Sequence, residues 1–403
     1  MKNTFVFFLL NPFLGLIQAF KHYNDTWAKN SAWVFVIFYG FTMNRPEEMD
    51  SSRYVLRLKE LYEASVNWDS FLANFYSDDG STIDIYQPLI TYLLSLVSDN
   101  GNILFAIFGI VFGYFYSRNI WMLLDLLKGR SMNLQLWILL FTFISVIGFW
   151  ELNGVRMWTA AHVFFYGTFN YIVNQNKKGL LIAILSILIH FSFVLPVSIL
   201  FFFLIVKLPW KILYFIFIAS FFVSVLNISS IGEFFGNIAP EFLVPKIKSY
   251  TSDEYVETVS EGPIGNWYVQ YYSKMLGWFI FIMISVIFFT SLSKIKSNKI
   301  FSNLFIFTLL FLIVGNIMSL VPSGNRFLII GRLFAMSLLF LFYIEYDDFI
   351  FKRWTKILSP ILLFYLIISL RTSFETITFI TILGNPIAAI FLDLPIPLIS
   401  MFK

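Results

Sequence analysis

Cysteine is absent from the 403 residues, which excludes disulfides, thiolate metal sites and a cysteine nucleophile. Histidine is almost as scarce: His22, His162 and His190 are all there are, and no paired-histidine metal motif can be built from them. No Gly-rich phosphate loop occurs, so ATP-driven transport by this chain is not expected. Charge is scarce too, at 13%, against 58% apolar residues and a mean hydropathy of +0.77. A soluble domain of this size does not carry that balance. The chain reads as an all-α polytopic integral membrane protein, with 1–403 as a single polytopic membrane domain. Its apolar runs are too long and too uniform for the alternating strands of an outer-membrane barrel.

Apolar runs at 4–20, 31–43, 103–118, 133–150, 155–173, 180–206, 211–230, 272–292, 300–320, 327–345, 357–371 and 374–391 are the candidate transmembrane helices, about 12 in all. The first carries no small-residue cleavage site and reads as a retained span. Tyr86 to Ser98 is a weaker run, suited to a re-entrant or surface helix. Pro196 is the expected break that turns 180–206 into a helical hairpin. Lysine and arginine then orient the chain. Lys21 and Lys29, Arg118, Lys128 and Arg130, Lys177 and Lys178, Lys207 and Lys211, Lys294 to Lys299, and Lys352 to Lys356 mark the cytoplasmic side. Two long extracytoplasmic loops, approximately 44–85 and 231–270, fall on the other.

The polar residues of that outer face carry the interest. Trp150-Glu151-Leu152-Asn153-Gly154-Val155-Arg156 joins two apolar runs, with Gly154 expected to permit a tight reversal. Glu151 and Arg156 are readable as interfacial anchors or, equally, as a functional pair. In the first loop Asp50, Arg53, Arg57 and Glu60 share one helical face, and Tyr54, Leu58 and Leu61 another. Arg57 and Glu60 read best as a solvated ion pair. Asp50, Asp78, Asp79 and Asp84 are the carboxylates a metal site would need, yet Asp78-Asp79-Gly80-Ser81 is ordinary turn chemistry; no metal site is expected. The second loop holds Glu233, Glu241, Asp253, Glu254, Glu257 and Glu261, then Trp267, Tyr268, Tyr271 and Tyr272, a headgroup belt or a sugar-stacking surface. His190 stands among apolar neighbours near the outer end of its run, either a satisfied structural group or a proton acceptor. Arg326 opens the run at 327, and Arg332 lies two turns deeper, too deep for an anchor. Guanidinium forks suit phosphate oxygens.

Asp50-Ser51-Ser52-Arg53-Tyr54, Asn153-Gly154-Val155-Arg156-Met157-Trp158, Leu188-Ile189-His190-Phe191-Ser192 and Ser323-Gly324-Asn325-Arg326 together resemble the Wzy-type polysaccharide polymerases, specifically the EpsG-like branch. The resemblance implies a GT-C-like glycosyltransferase of the bacterial plasma (inner) membrane, its active site facing the periplasm or cell exterior. Such enzymes join undecaprenyl-diphosphate-linked repeat units into O-antigen, capsule or exopolysaccharide, and are taken to need no metal, nucleotide sugar or other cofactor. Expected partners are the undecaprenyl-diphosphate-linked donor and acceptor, membrane lipids and a chain-length regulator, with no nucleic acid. Unlike better-known polymerases, this chain has no single Arg-rich outer loop.

In transfer from a lipid diphosphate, charge builds on the departing phosphate while a sugar hydroxyl attacks. Arg156 and Arg326 are expected to stabilise that charge, with Arg332, Arg53, Asn153 and Asn325 assisting. His190 is the expected base, with Glu151 or Asp50 as competitor, and direct displacement inverts the anomeric centre. The rival readings are a lipid-linked oligosaccharide flippase, an O-antigen ligase and a membrane acyltransferase. A flippase would favour compact loops and charge through the full membrane depth.

Overall fold

Hydrophobic runs interrupted by polar turns give helices and almost nothing else in the computed structural model. The structure describes residues 8–76, 84–207, 209–222, 266–321, 323–392 and 396–402. Most of the second long loop, with Glu233 to Glu261, lies outside the described residues, as do Asp78 and Asp79.

In chain order the helices are α1 (Pro12–Lys21), α2 (Ala28–Thr42), α3 (Asp50–Glu63), α4 (Trp68–Tyr76), α5 (Tyr86–Ser95), α6 (Gly101–Asp125) and α7 (Leu134–Val146). After a 3-10 turn (Phe149–Gly154) come α8 (Val155–Ile172), α9 (Lys178–Ile189), a second 3-10 turn (Phe191–Phe193), α10 (Val194–Ile205) and α11 (Trp210–Phe222). The rest are α12 (Trp267–Ser297), α13 (Lys299–Met318), α14 (Asn325–Glu345), α15 (Phe349–Ser373), α16 (Phe379–Leu383) and α17 (Pro386–Phe391). Among the described residues six stretches are long and apolar enough to cross a membrane: α6, Leu134–Ile172, α12, α13, α14 and α15. The molecule is thus a multi-pass helical membrane protein.

Several elements differ from the sequence reading. The run at 374–391 is no single span, because Gly384 ends α16 and Asn385-Pro386 starts α17, with the Asn385 side chain capping Ala388 N–H and Pro386 in the first turn. Asn11 and Pro12 likewise begin a new helix inside the first run. Segment 180–206 breaks at His190, which takes an extended conformation (φ −149°, ψ 116°). Pro196 is the third residue of α10, which follows the second 3-10 turn directly, and so lies beyond the break rather than causing it. Gly154 has an ordinary φ of −90°. Its value is spatial, since a Cβ there would press on the Trp158 indole.

The chain divides into two compact units: Met1–Leu134, Ile147–Val197 and Leu366–Lys403 form the first, Gln135–Val146 and Ser198–Tyr365 the second. In the first, α2 packs along α6, and α8 lies against both α6 and α9. Close approach of helix backbones replaces the hydrophobic drive that lipid removes. Asn119 Nδ2 adds an interhelical bond of 3.0 Å to the His162 carbonyl. The end of α2 is tied down by Tyr39 and Thr42, whose hydroxyls meet Thr376 and Thr381, each at 2.8 Å. The amphipathic α3 buries Ser51, Tyr54, Leu58 and Leu61 and turns Arg57 and Glu60 outward, where they pair at 3.0 Å. Leu61 sits in a small cluster with Phe71 and Tyr92, whose rings stack at 4.2 Å.

In the second unit α13 packs on α14, and α11 on α13. Tyr214 stacks on Phe288 at 3.8 Å. A kink at Ser291 in α12 is held by the buried Asp348, which also accepts Lys294 Nζ at 2.9 Å and caps Phe351 N–H at 3.0 Å.

Candidate functional site

Where α9 stops, three elements of the first unit meet. The extended His190 leaves the Phe191 N–H at the start of a 3-10 turn without a local acceptor, and Asp84 Oδ1 takes it at 2.7 Å. The approach of Asp84 is fixed by backbone: Ile85 N–H donates to the Leu188 carbonyl at 3.3 Å. Asp84 Oδ2 then accepts His190 Nδ1 at 3.0 Å and Arg156 Nη1 at 2.9 Å. Arg156 is the second residue of α8, where the helix dipole disfavours a cation, so the carboxylate offsets both the charge and its position. Its Nε donates to Tyr54 Oη at 3.1 Å, and its guanidinium lies 5.7 Å from the centre of that ring.

Asp84 has a side chain only 6% exposed, against 30% for Arg156 and 20% for His190. Burial alone would raise the Asp84 carboxyl. The His190 hydrogen bond and charge, the Phe191 N–H and the Arg156 guanidinium together outweigh it and hold Asp84 below the usual carboxylate range. Burial pushes the Tyr54 phenol up despite the Arg156 charge beside it, so Tyr54 meets Arg156 as a neutral hydroxyl. An ionised Asp84 has no proton to give, so His190 Nδ1 carries the hydrogen of the bond between them.

The structure therefore brings Arg156 and His190 together, with Asp84 between them. The sequence reading placed Asp84 only among candidate metal carboxylates; its position immediately ahead of an apolar run was the one available signal. Tyr54 was read as part of the apolar face of its helix and also touches Arg156. Asn153 Oδ1 accepts Ser51 N–H at 3.3 Å, docking the start of α3 on the 3-10 turn. Asp50 pairs with Arg53 one turn on, at the exposed edge of the same helix. Glu151 is half-buried on that turn, within electrostatic reach of Tyr39.

The second unit holds Arg326 and Arg332. Arg326 and Asn325 are exposed in the first turn of α14. Arg332 is 8% exposed and donates through Nη1 to Ser273 Oγ at 2.6 Å, with Tyr272 and Tyr365 within electrostatic reach. Trp267 and Tyr271 are exposed at the start of α12, as residues of a headgroup belt are.

Fold and cluster together define a multi-pass helical membrane protein with a hydrogen-bonded Arg–Asp–His group at the end of a broken helix. A family model for the EpsG family matches residues 31–383, and the chain belongs to that family. This is the family of EpsG-like polymerases, which makes the chain a polysaccharide-polymerase-type membrane protein and, at that level, a glycosyltransferase-like enzyme. Searches of curated proteins and of solved structures return no match.

Proposed function

We propose that the protein polymerises lipid-linked oligosaccharide repeat units, moving a growing glycan from undecaprenyl diphosphate to a sugar hydroxyl on the next lipid-linked unit at the outer face of the plasma membrane. The observation that carries this reading is the double use of Asp84, which orients an imidazole and fixes a guanidinium in one place. That is the pairing of base and charge acceptor that metal-independent glycosyl transfer requires.

His190 Nε2 accepts the proton of the attacking hydroxyl while its Nδ1–H stays on Asp84. The hydroxyl oxygen bonds to the anomeric carbon as the bond from that carbon to the diphosphate oxygen breaks. The electron pair leaves with the lipid diphosphate, whose growing charge Arg156 meets with the N–H groups not given to Asp84 and Tyr54. A single displacement of this kind inverts the anomeric centre. Arg326, Asn325 and Arg332 are proposed phosphate contacts in the second unit. Arg53 and Asn153 are proposed to assist in binding the diphosphate or substrate, Glu151 or Asp50 stands as the competing base, and the enzyme is proposed to be GT-C-like.

The test is the glycan ladder of cells carrying Arg156→Ala or His190→Ala. Both proteins are expected in the membrane at normal level, with glycan arrested at a single repeat. Long chains from both variants overturn the assignment. Free lipid-linked polymer would mark a ligase, and repeat units trapped in the cytoplasm a flippase.

A further inference from the structure

From Tyr54, which meets Arg156, α3 runs on to Leu61, about 10 Å further along its axis. There Leu61 packs with Phe71 of α4 and Tyr92 of α5, all three buried. Trp68 sits on this small core, its ring centre 5.6 Å from those of both Phe71 and Tyr92. It is nonetheless 47% exposed. The capping residue fixes its place, since Asn67 Oδ1 accepts Ser70 N–H at 2.8 Å and α4 therefore starts at Trp68. Asn67, Asp69 and Ser70 beside it in the chain are exposed as well. The result is a large aromatic surface, held firmly from behind and edged by polar groups.

We propose that Trp68 is the stacking platform of a glycan-holding subsite, which carries a sugar ring of the growing chain away from the Arg156–Asp84–His190 group. The identity of the occupant rests on the polymerase reading; the platform is a separate feature of α3, α4 and α5. The C–H face of a pyranose presents partial positive charge, which suits the negative face of an indole. Its hydroxyls suit the exposed Asn67 amide and Asp69 carboxylate. A ring already held by its neighbours offers that contact area at low cost in entropy. Lipid headgroups are the other common neighbours of an exposed tryptophan. An anchor in anionic headgroups keeps basic company. Here no lysine or arginine occurs between Lys59 and Arg118, while Glu60, Glu63 and Asp69 all lie within eight residues of Trp68. Such a surface repels anionic headgroups and accepts hydroxyls.

The experiment uses the full-length protein in nanodiscs and oligosaccharides cut by partial acid hydrolysis from the surface polysaccharide of the cells that carry it. Affinity is read by saturation-transfer NMR titration. Trp68→Ala is expected to weaken binding about fivefold to tenfold, with thermal unfolding unchanged because Leu61, Phe71 and Tyr92 remain packed beneath. Trp68→Tyr keeps a ring and should bind within about twofold of wild type. Trp68→Leu is apolar but not flat and should fail as alanine does. In cells the alanine and leucine variants should at least halve the modal polymer length while still joining the first repeats. Unchanged oligosaccharide binding by Trp68→Ala overturns the proposal. So does wild-type behaviour of Trp68→Leu, which would mark an apolar lipid contact. Binding needs no transfer, so the two readings fail separately. Long chains from His190→Ala, with binding still lost in Trp68→Ala, sink the catalytic reading alone; arrested chains from His190→Ala, with binding intact in Trp68→Ala, sink the platform alone.

Discussion

At the scale of the residue, Asp84 decides what His190 and Arg156 can do. Asp84→Asn keeps a carbonyl oxygen for the Phe191 N–H, so the turn after α9 should survive. It removes the negative charge opposite Arg156, and its amide N–H₂ can face His190 Nδ1, moving the imidazole hydrogen to Nε2 where no base remains. The turnover rate should fall by roughly 10²- to 10⁴-fold, the range of a lost general base. The Michaelis constant for the lipid donor should change far less, and Asp84→Glu should recover part of the rate. An unchanged turnover rate in Asp84→Asn would remove Asp84 from the mechanism. The pH dependence has a definite sign. Asp84 is held below its ordinary value of 3.8, so the stability it lends is complete above that value and is lost as pH falls through the lower folded one. The difference in melting temperature between wild type and Asp84→Asn should therefore shrink as pH falls below about 4.

At the scale of the element, the distance between Arg156 and His190 is set by how α8 and α9 pack. Gly167 and Gly179 let the two backbones touch: a Cβ on Gly167 would stand 2.6 Å from the Gly179 carbonyl oxygen and closer still to the Ala183 nitrogen. Backbone cannot yield as a side-chain tip can, so Gly167→Val should push the helices apart at a cost of about 1–3 kcal/mol. Detergent-phase melting should fall and polymer should be lost, while Leu181→Val on the lipid-facing side leaves both unchanged. Wild-type polymer from Gly167→Val would show that the contact does not set the site. Much at this scale was legible in the sequence. Runs at 155–173, 300–320 and 327–345 lie close to α8, α13 and α14 because their ends coincide with Gly154, Asn298 and Gly324. The run at 103–118 stopped short of α6 because Arg118 and Asn119 read as a polar end. Asn119 is instead buried against α8, and Arg118 covers Tyr114 at 4.5 Å. Within the site, His190 and Arg156 stood out because each interrupts an apolar context. Asp84 did not, because its two partners lie 72 and 106 residues away in the chain and only folding brings them to it.

At the scale of the whole molecule, everything chemical depends on which side of the membrane the end of α9 reaches. α9 and α10 have 12 residues each, or about 18 Å per helix, well short of the ~30 Å hydrocarbon core. Neither spans alone. If the break at His190 marks a point where the chain enters and turns back, Lys177 before α9 and Lys207 after α10 share the cytoplasmic side, as the lysine and arginine bias requires. If the chain crosses once, the two lysines lie on opposite sides and His190 sits at mid-depth, where no glycan reaches it. A chain with no cysteine makes this a clean measurement, since each introduced thiol is the only one present. Arg57→Cys and Asn325→Cys, both exposed, should react with an impermeant maleimide in intact spheroplasts. Lys128→Cys, Lys177→Cys and Lys207→Cys should react only after permeabilisation. Labelling of Lys207→Cys from outside with Lys177→Cys still protected would place the Arg156–Asp84–His190 group inside the bilayer and end the outer-face mechanism, whatever the chemistry of its three side chains.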